Sequence, residues 1–260
     1  MPLIRLGDID TAYELTGTGA PVVPVHGLGS SARDWERQVP ALASGYRVLT
    51  YDVRGHGRTS KPPGPYSVKG FADDLAGLLE HLDHRPAHVV GISMGGMIAF
   101  QLAVDHPELV RSLTIINSGP ALVPRRFAEH IAVWTRRAIA KVRGPAAMGS
   151  VLAPRLFPYP DQEPLRQQFI SRWAENDKAA YYAALNAIIG WSVADRLGSL
   201  RMPVLVIASD HDYTPVSAKE AFLPLIPGAT LTVIQDARHA VPVERPDAFN
   251  AALREFLDRS

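Results

Sequence analysis

A serine in a glycine-bounded turn is the first feature of this chain that could do chemistry. Gly91-Ile92-Ser93-Met94-Gly95 fits the pattern G-x-S-x-G, with a short apolar run before it and a helical pattern after it. On a sharp strand-to-helix turn, side chains two positions before and after the serine would collide with neighbouring backbone, which explains both glycines. Ser93 is therefore the candidate nucleophile. The alternative interpretation is a turn that only links strand to helix.

A serine hydroxyl needs a base to take its proton, and histidine is the usual one. The chain has nine histidines. In an open parallel sheet, reactive groups collect beyond the carboxyl ends of the strands. His239 comes shortly after the strand-like segment 230–235 and before Pro242. Its position predicts that His239 is the base.

A carboxylate should orient that histidine, and it should lie on the turn after the preceding strand. The turn 209–215 contains two aspartates, Asp210 and Asp212, and both could reach His239. Asp212 is favoured because it lies further along the turn, clear of the strand end. Asp210 stays open.

The oxyanion formed when a serine attacks a carbonyl needs two backbone N–H donors. The residue after the nucleophile supplies one, here Met94. The loop after the strand-like run 22–25 supplies the other, and its sequence, His26-Gly27-Leu28-Gly29, indicates Leu28.

The segments that must position these residues alternate between strand-like and helical patterns over residues 21–117. Such alternation is typical of a parallel α/β sheet with helices on both faces. The alternation stops at 121–198, where the sequence contains only helical patterns divided by prolines, and it resumes at Pro203. We therefore predict one core domain, residues 1–120 and 199–260, with residues 121–198 inserted as a helical cap that does not fold independently.

Composition excludes several classes of function. The 260 residues contain no cysteine, which removes disulfides, iron–sulfur clusters and a thiol nucleophile. The net charge of +1 gives no global field for nucleic acid or an anionic membrane, so neither is an expected partner. No signal peptide or long apolar span is evident, so a cytoplasmic location is expected. Neither a metal nor a cofactor is expected.

Taken together, these residues resemble the α/β-hydrolase superfamily. The segment Tyr51–Ser60 is similar to that family's D-x-R-G-x-G-x-S loop, and Pro63–Ser67 resembles 3-oxoadipate enol-lactonases and their near relatives. The resemblance implies a mostly parallel sheet flanked by helices and catalysis through an acyl-enzyme. Arg238 departs from the family pattern, where glycine is usual. Asp212 stands three residues before Pro215, where four are expected.

The resulting hypothesis is a serine hydrolase that cleaves a small-molecule carboxylic ester or lactone with a Ser-His-Asp triad. The alternatives are a 3-oxoadipate enol-lactonase proper, a cofactor-free perhydrolase or haloperoxidase, and a ligand receptor that has kept the triad. The sequence does not indicate an oligomeric state.

The insertion 121–198 is basic, with 11 Lys and Arg against 6 Asp and Glu. A basic lid would suit an anionic substrate. A helix there would carry one apolar stripe, however, which favours a stripe that packs inward and an opposite face that is solvated. The stripe contains Phe127, Ile131, Trp134, Ala138 and Val142; the opposite face contains Arg125, Arg136 and Arg143. The aromatic residues predicted to line a substrate pocket are Trp134, Trp173, Tyr181 and Trp191.

Overall fold

Eight strands form a single sheet in the computed structural model, which describes all residues from 1 to 260. The strands are β1 (Leu3–Leu6), β2 (Ile9–Thr16), β3 (Ala20–Val25), β4 (Tyr46–Tyr51), β5 (Ala87–Ile92), β6 (Val110–Ile116), β7 (Val204–Ser209) and β8 (Thr230–Ile234). Their spatial order is β1-β2-β4-β3-β5-β6-β7-β8. The pairs β1/β2 and β2/β4 are antiparallel, and all others are parallel. The predicted fold class is confirmed.

Nine helices accompany the sheet. They are α1 (Val39–Leu42), α2 (Val68–His81), α3 (Met94–Asp105), α4 (Phe127–Leu156), α5 (Glu163–Ala174), α6 (Lys178–Ile188), α7 (Val216–Phe222), α8 (Val241–Glu244) and α9 (Pro246–Leu257). Helix α2 begins at the N-cap Ser67, whose hydroxyl accepts from the Gly70 N–H, and its apolar face is buried. None of these helices is long and apolar enough to cross a membrane.

The two faces of the sheet carry separate apolar layers because successive side chains of a strand point to opposite sides. Val89 of β5 packs in the layer with α2 and α3, whereas its neighbour Val90 packs in the layer with Phe249 and Leu253 of α9. The central strands β5 and β7 are buried along their whole length. This covering explains why their sequences are nearly continuous apolar runs.

The chain between β6 and β7 leaves and rejoins the sheet at one place. The Leu122 N–H donates to the Trp191 carbonyl at 2.9 Å, and the Gly190 N–H donates to the Leu122 carbonyl at 2.8 Å. Helices α4, α5 and α6 lie between these points. Helix α4 bends at Gly144, whose φ of 78° is a left-handed conformation that glycine adopts at no steric cost, and Pro145 follows it.

Candidate active site

Ser93 occupies the turn between β5 and α3 in a strained conformation, with φ 55° and ψ −118°. A side chain on Gly91 would run into the Gly95 backbone, and one on Gly95 would run into the carbonyls of Val25 and His26. The Ser93 N–H donates to the Ile116 carbonyl at 3.0 Å, which ties the turn to β6. The turn therefore presents the Ser93 hydroxyl at the carboxyl edge of the sheet, where β7 and β8 also end.

His239 lies on the loop after β8, and its ring is held by a carboxylate from the loop after β7. His239 Nδ1 is 2.8 Å from Oδ1 of Asp212, whose side chain is fully buried. Asp210 points elsewhere, since its carboxylate accepts from the N–H groups of Asp236 and Ala237 at 2.9 and 3.0 Å. Of the two aspartates left open by the sequence, only Asp212 contacts His239 in the structure.

A buried lysine is a second partner of Asp212 that sequence reasoning missed. Lys219 Nζ, on α7, lies 2.8 Å from Asp212 Oδ2, and the lysine side chain is only 1% exposed. Burial alone would raise the pKa of Asp212, but the hydrogen bond from His239 and the charges of His239 and Lys219 hold that pKa below its ordinary value. Asp212 is thereby kept as a carboxylate. The only signal in the sequence is one lysine on the helix that follows the aspartate.

The Tyr213 hydroxyl contacts the second ring nitrogen of His239, the one that Asp212 leaves free. It lies 2.7 Å from His239 Nε2, and the two rings stack with centroids 4.2 Å apart. Ser93 Oγ makes no direct hydrogen bond with His239 in this arrangement. Tyr213 was not predicted from the sequence, because no motif specifies its placement beside His239.

The two predicted oxyanion donors are free to bind a ligand. Neither the Leu28 N–H nor the Met94 N–H donates to another backbone group. His26 fixes the loop that carries Leu28. The ring Nε2 of His26 accepts from the Val53 N–H at 3.0 Å, so its Nδ1 carries the proton and donates to the Gly27 carbonyl at 2.8 Å.

Asn117 joins three parts of the site and was also missed. It follows β6 with φ 44° and is buried. Its Oδ1 accepts from the Ser209 N–H at 2.9 Å, and its Nδ2 donates to the His239 carbonyl at 3.1 Å. These bonds fix the end of β7 and the loop that carries His239 relative to each other.

Arg238, which replaces the usual glycine, connects the His239 loop to two other parts of the chain. Its Nη1 lies 2.8 Å from Oε1 of the buried Glu244. Its guanidinium lies over the ring of Tyr159, 4.6 Å from the centroid, and Tyr159 belongs to the segment between α4 and α5.

A mostly apolar cavity opens at Ser93 and His239, and one predicted aromatic residue lines it. The lining residues are Gly27, Leu28, Ser30, Asp34, Ile92, Ser93, Arg136, Leu152, Leu156, Phe169, Trp173, Tyr213, His239 and Ala240. Tyr181 is buried against Trp173, with ring centroids 5.7 Å apart, and lies behind the cavity wall.

Three of the four predicted pocket residues, Tyr181 among them, do not line this cavity, and for these the prediction is wrong. Trp134 is 60% exposed on the outer face of α4. Trp191 is turned toward α3, where its Nε1–H donates to Gln101 Oε1 at 2.7 Å. An aromatic residue in the insertion can lie on the surface, at a contact between helices or in a pocket. Residue type alone therefore could not distinguish these positions.

Helix α4 departs from the prediction at its apolar stripe, which is exposed, and at Arg136, whereas Arg125 and Arg143 are exposed as predicted. The stripe that contains Phe127 and Trp134 points to solvent, whereas Arg136 points into the cavity. The Nε of Arg136 is buried without a hydrogen-bond partner, and no carboxylate of the chain pairs with this guanidinium. Its positive charge acts on the phenols of Tyr181 and Tyr213, partly offsetting the rise in pKa that desolvation of each hydroxyl causes. No group of three or more potential metal-ligating His, Asp or Glu side chains is present.

Comparison with known proteins gives matches over nearly the whole chain. A family model described as the alpha/beta hydrolase fold matches residues 20–246. The chain is 33% identical to a putative carbamate hydrolase RutD of Azorhizobium caulinodans, over 98% of each protein. It is 30% identical to 3-oxoadipate enol-lactonase 2 of Acinetobacter baylyi, over 89% of this chain and 86% of that protein.

Solved structures agree with these matches. The crystal structure of the enol-lactonase from Burkholderia xenovorans superimposes with a TM-score of 0.91 at 28% identity, covering 99% of this chain and all of that one.

Replacing Lys219 by methionine is expected to lower the free energy of unfolding at pH 7 by about 3 kcal/mol, because Asp212 keeps its burial but loses a charged partner. Asp212 stabilises the fold while it is ionised, and this contribution is lost as the pH falls through its depressed pKa. The variant raises that pKa, so acid unfolding should begin at higher pH. Urea titrations between neutral and acidic pH measure both effects.

Lys69→Met is the matched control, since Lys69 and Asp73 form a pair of the same length, 2.8 Å, on the surface. That exposed pair should contribute less than about 1 kcal/mol. Equal destabilisation by the two substitutions would show that burial does not set the strength of the Asp212–Lys219 interaction.

Proposed function

Because the chain belongs to the alpha/beta hydrolase fold family, we propose that it is a serine hydrolase of carboxylic esters or lactones with Ser93, His239 and Asp212 as its triad. One observation carries this proposal. A strained turn presents Ser93 to the same cavity as His239, whose ring is fixed by the buried carboxylate of Asp212. The relatives named as an enol-lactonase and a carbamate hydrolase support hydrolysis as the reaction.

In the proposed mechanism, Ser93 Oγ attacks the carbonyl carbon and its proton passes to His239 Nε2. Asp212 accepts the Nδ1–H of the imidazolium that forms and stabilises its positive charge. The N–H groups of Leu28 and Met94 bind the oxyanion. His239 then protonates the leaving alcohol as the C–O bond breaks, leaving an acyl group on Ser93. A water molecule, deprotonated by His239, hydrolyses this ester and restores the serine.

This sequence of steps requires Tyr213 to move, because its hydroxyl holds the nitrogen that must take the serine proton. We propose that a substrate entering the cavity displaces the tyrosine ring from His239. The ring can leave without disrupting a packed core, since Tyr213 is 57% exposed and lies on the loop before α7. Direct contact between Ser93 and His239 would then form with substrate present, as catalytic hydrogen bonds often do.

We also propose that residues 121–198 form a cap over this site and that the substrate carries an anionic group. Helices α4 and α5 supply Leu152, Phe169 and Trp173 to the cavity, so the insertion builds much of the acyl pocket. Arg136 adds an unpaired positive charge to this apolar wall. A carboxylate on the substrate would give the guanidinium the partner that the protein lacks.

Ser93→Ala is expected to reduce hydrolysis of p-nitrophenyl acetate by more than about 1,000-fold, because no other group replaces the nucleophile. Circular dichroism and thermal unfolding of the variant should match the wild type. Unimpaired turnover by the folded variant would contradict the proposal. A single burst of product without turnover in the wild type would instead indicate a receptor, and activity only with peroxide would indicate a perhydrolase.

Asp212→Asn is expected to lower kcat by about 10,000-fold, because an amide no longer stabilises the imidazolium or fixes the ring tautomer. Asp210→Asn is the control, since Asp210 binds only the backbone of the neighbouring turn. It should retain activity within about tenfold and lose about 1 kcal/mol of stability. Steady-state kinetics on the same ester compare the two, and the reverse order of effects would exclude Asp212 as the triad acid.

Arg136→Met is expected to reduce the preference for a carboxylated ester over a neutral ester of equal length by about 10- to 100-fold in kcat/KM. Arg143→Met removes the same charge from the exposed surface of α4 and should leave the preference unchanged. Turnover of the neutral ester reports whether each variant is folded. Equal losses on both esters in Arg136→Met would show that the arginine has no role in recognising an anion.

A further inference from the structure

The first half of helix α4 exposes an apolar stripe that nothing in the chain covers. Phe127, Ile131, Trp134 and Val142 are 76%, 45%, 60% and 73% exposed, and their spacing places them on one face of the helix. Large apolar side chains that are exposed singly are ordinary, but several on one helix face form a patch of the kind that marks an interaction site.

The orientation of this helix is fixed by the face that does pack. Ala140 is fully buried, and Val133 and Ile139 are partly buried on the side toward the protein. The Lys178 ammonium of α6 donates to the Val142 carbonyl at 3.0 Å, which anchors the end of this half of the helix just before its bend. Rotation that buried the apolar stripe would withdraw Arg136 from the catalytic cavity.

Positive charge surrounds the stripe. Arg126 is exposed where the helix begins, and Lys141 is exposed beside the stripe near its bend. Arg125 and Arg143, on the opposite side of the helix, are exposed as well. The one carboxylate on this half of the helix belongs to Glu129, which accepts from the N–H groups of Arg125 and Arg126 at 2.7 and 3.1 Å. The exposed face therefore combines an aromatic and aliphatic stripe with a net positive border.

The charge pattern separates the possible occupants of this face. A second copy of the chain, docked stripe to stripe about a two-fold axis, would place basic borders against each other. An anionic bilayer pairs with both parts of the face: its acyl region accepts the apolar side chains, and its headgroups attract the cations. We propose that residues 127–143 of α4 bind the surface of an anionic lipid membrane.

The binding mode is peripheral. Phe127, Ile131, Trp134 and Val142 enter the headgroup boundary while the helix axis lies parallel to the membrane plane. The inward face of the same helix borders the cavity through Arg136, so the bound protein holds its cavity close to the bilayer. The net charge of +1 for the whole chain predicts no membrane partner, but that average conceals the local excess of positive charge on this helix.

Flotation of the full-length protein with lipid vesicles tests this proposal. We expect binding to phosphatidylcholine vesicles that contain about one third phosphatidylglycerol, at least about tenfold tighter than to pure phosphatidylcholine and weakened by salt. Tryptophan emission should shift to the blue on binding, because Trp134 is the most exposed tryptophan while Trp35 and Trp173 are buried. Ser93→Ala should bind equally, so membrane binding and hydrolysis are tested independently.

Trp134→Ser should weaken binding by about tenfold or more and abolish the emission shift. Leu3→Ser is the matched control, because Leu3 is also 60% exposed but lies on β1; it should bind like the wild type. Lys141→Gln should weaken binding to the anionic vesicles alone, by about fivefold.

Failure of the wild type to float with anionic vesicles at low salt would overturn the proposal, as would equal effects of Trp134→Ser and Leu3→Ser. A dimer that dissociates on Trp134→Ser without vesicle binding would identify the face as a self-interface. Binding of polyglutamate but not of vesicles would identify an acidic protein as the partner.

Discussion

The backbone at Ser93 is the constraint around which the candidate site is organised. A positive φ at a residue with a side chain costs free energy and persists only where surrounding contacts hold it. Here those contacts are the close approach of α3 to β5 and β3, which requires glycine at positions 91 and 95. The same approach brings the N-terminus of α3 beside the loop of Leu28. The proposed nucleophile and the proposed oxyanion donors thus depend on one packing arrangement.

A buried cluster of charged side chains lies next to the cavity, and in it the carboxylate of Asp212 is paired with Lys219 and His239. Asp212 lies within hydrogen-bonding distance of both Lys219 and His239, and the side chains of Asp212 and Lys219 are almost wholly removed from solvent. An isolated carboxylate in such a place would take up a proton. Lys219 helps to keep Asp212 ionised, which is the state that the proposed mechanism requires of it. Asn117 then fixes the distance between the loops that carry the cluster.

Much of the fold followed from the sequence because its patterns are local. Alternating apolar runs and helical spacing predicted the parallel sheet, and the glycines at 91 and 95 predicted the sharp turn at Ser93. Lys219, Asn117 and Tyr213 were missed because their partners lie on other strands or loops, and no spacing along the chain records such contacts. The choice between Asp210 and Asp212 stayed open for the same reason. Both follow β7, and only the path of the backbone after the strand decides which carboxylate reaches His239.

Helix α4 shows a different limit of sequence reasoning. Its period identified the two faces correctly, but an amphipathic pattern does not state what lies on either side. The inference that apolar means inward assumed that the protein itself supplies the apolar partner. In the structure Arg136 lines the cavity, and the apolar face of the helix is exposed to solvent.

The stacking of Tyr213 on His239 also bears on selectivity. In the proposed mechanism the resting base is already bonded to Tyr213, so Ser93 lacks a proton acceptor until the ring moves. A substrate, p-nitrophenyl acetate included, would have to displace this ring before it could react. Selection by fit to the cavity would then precede selection by chemical group.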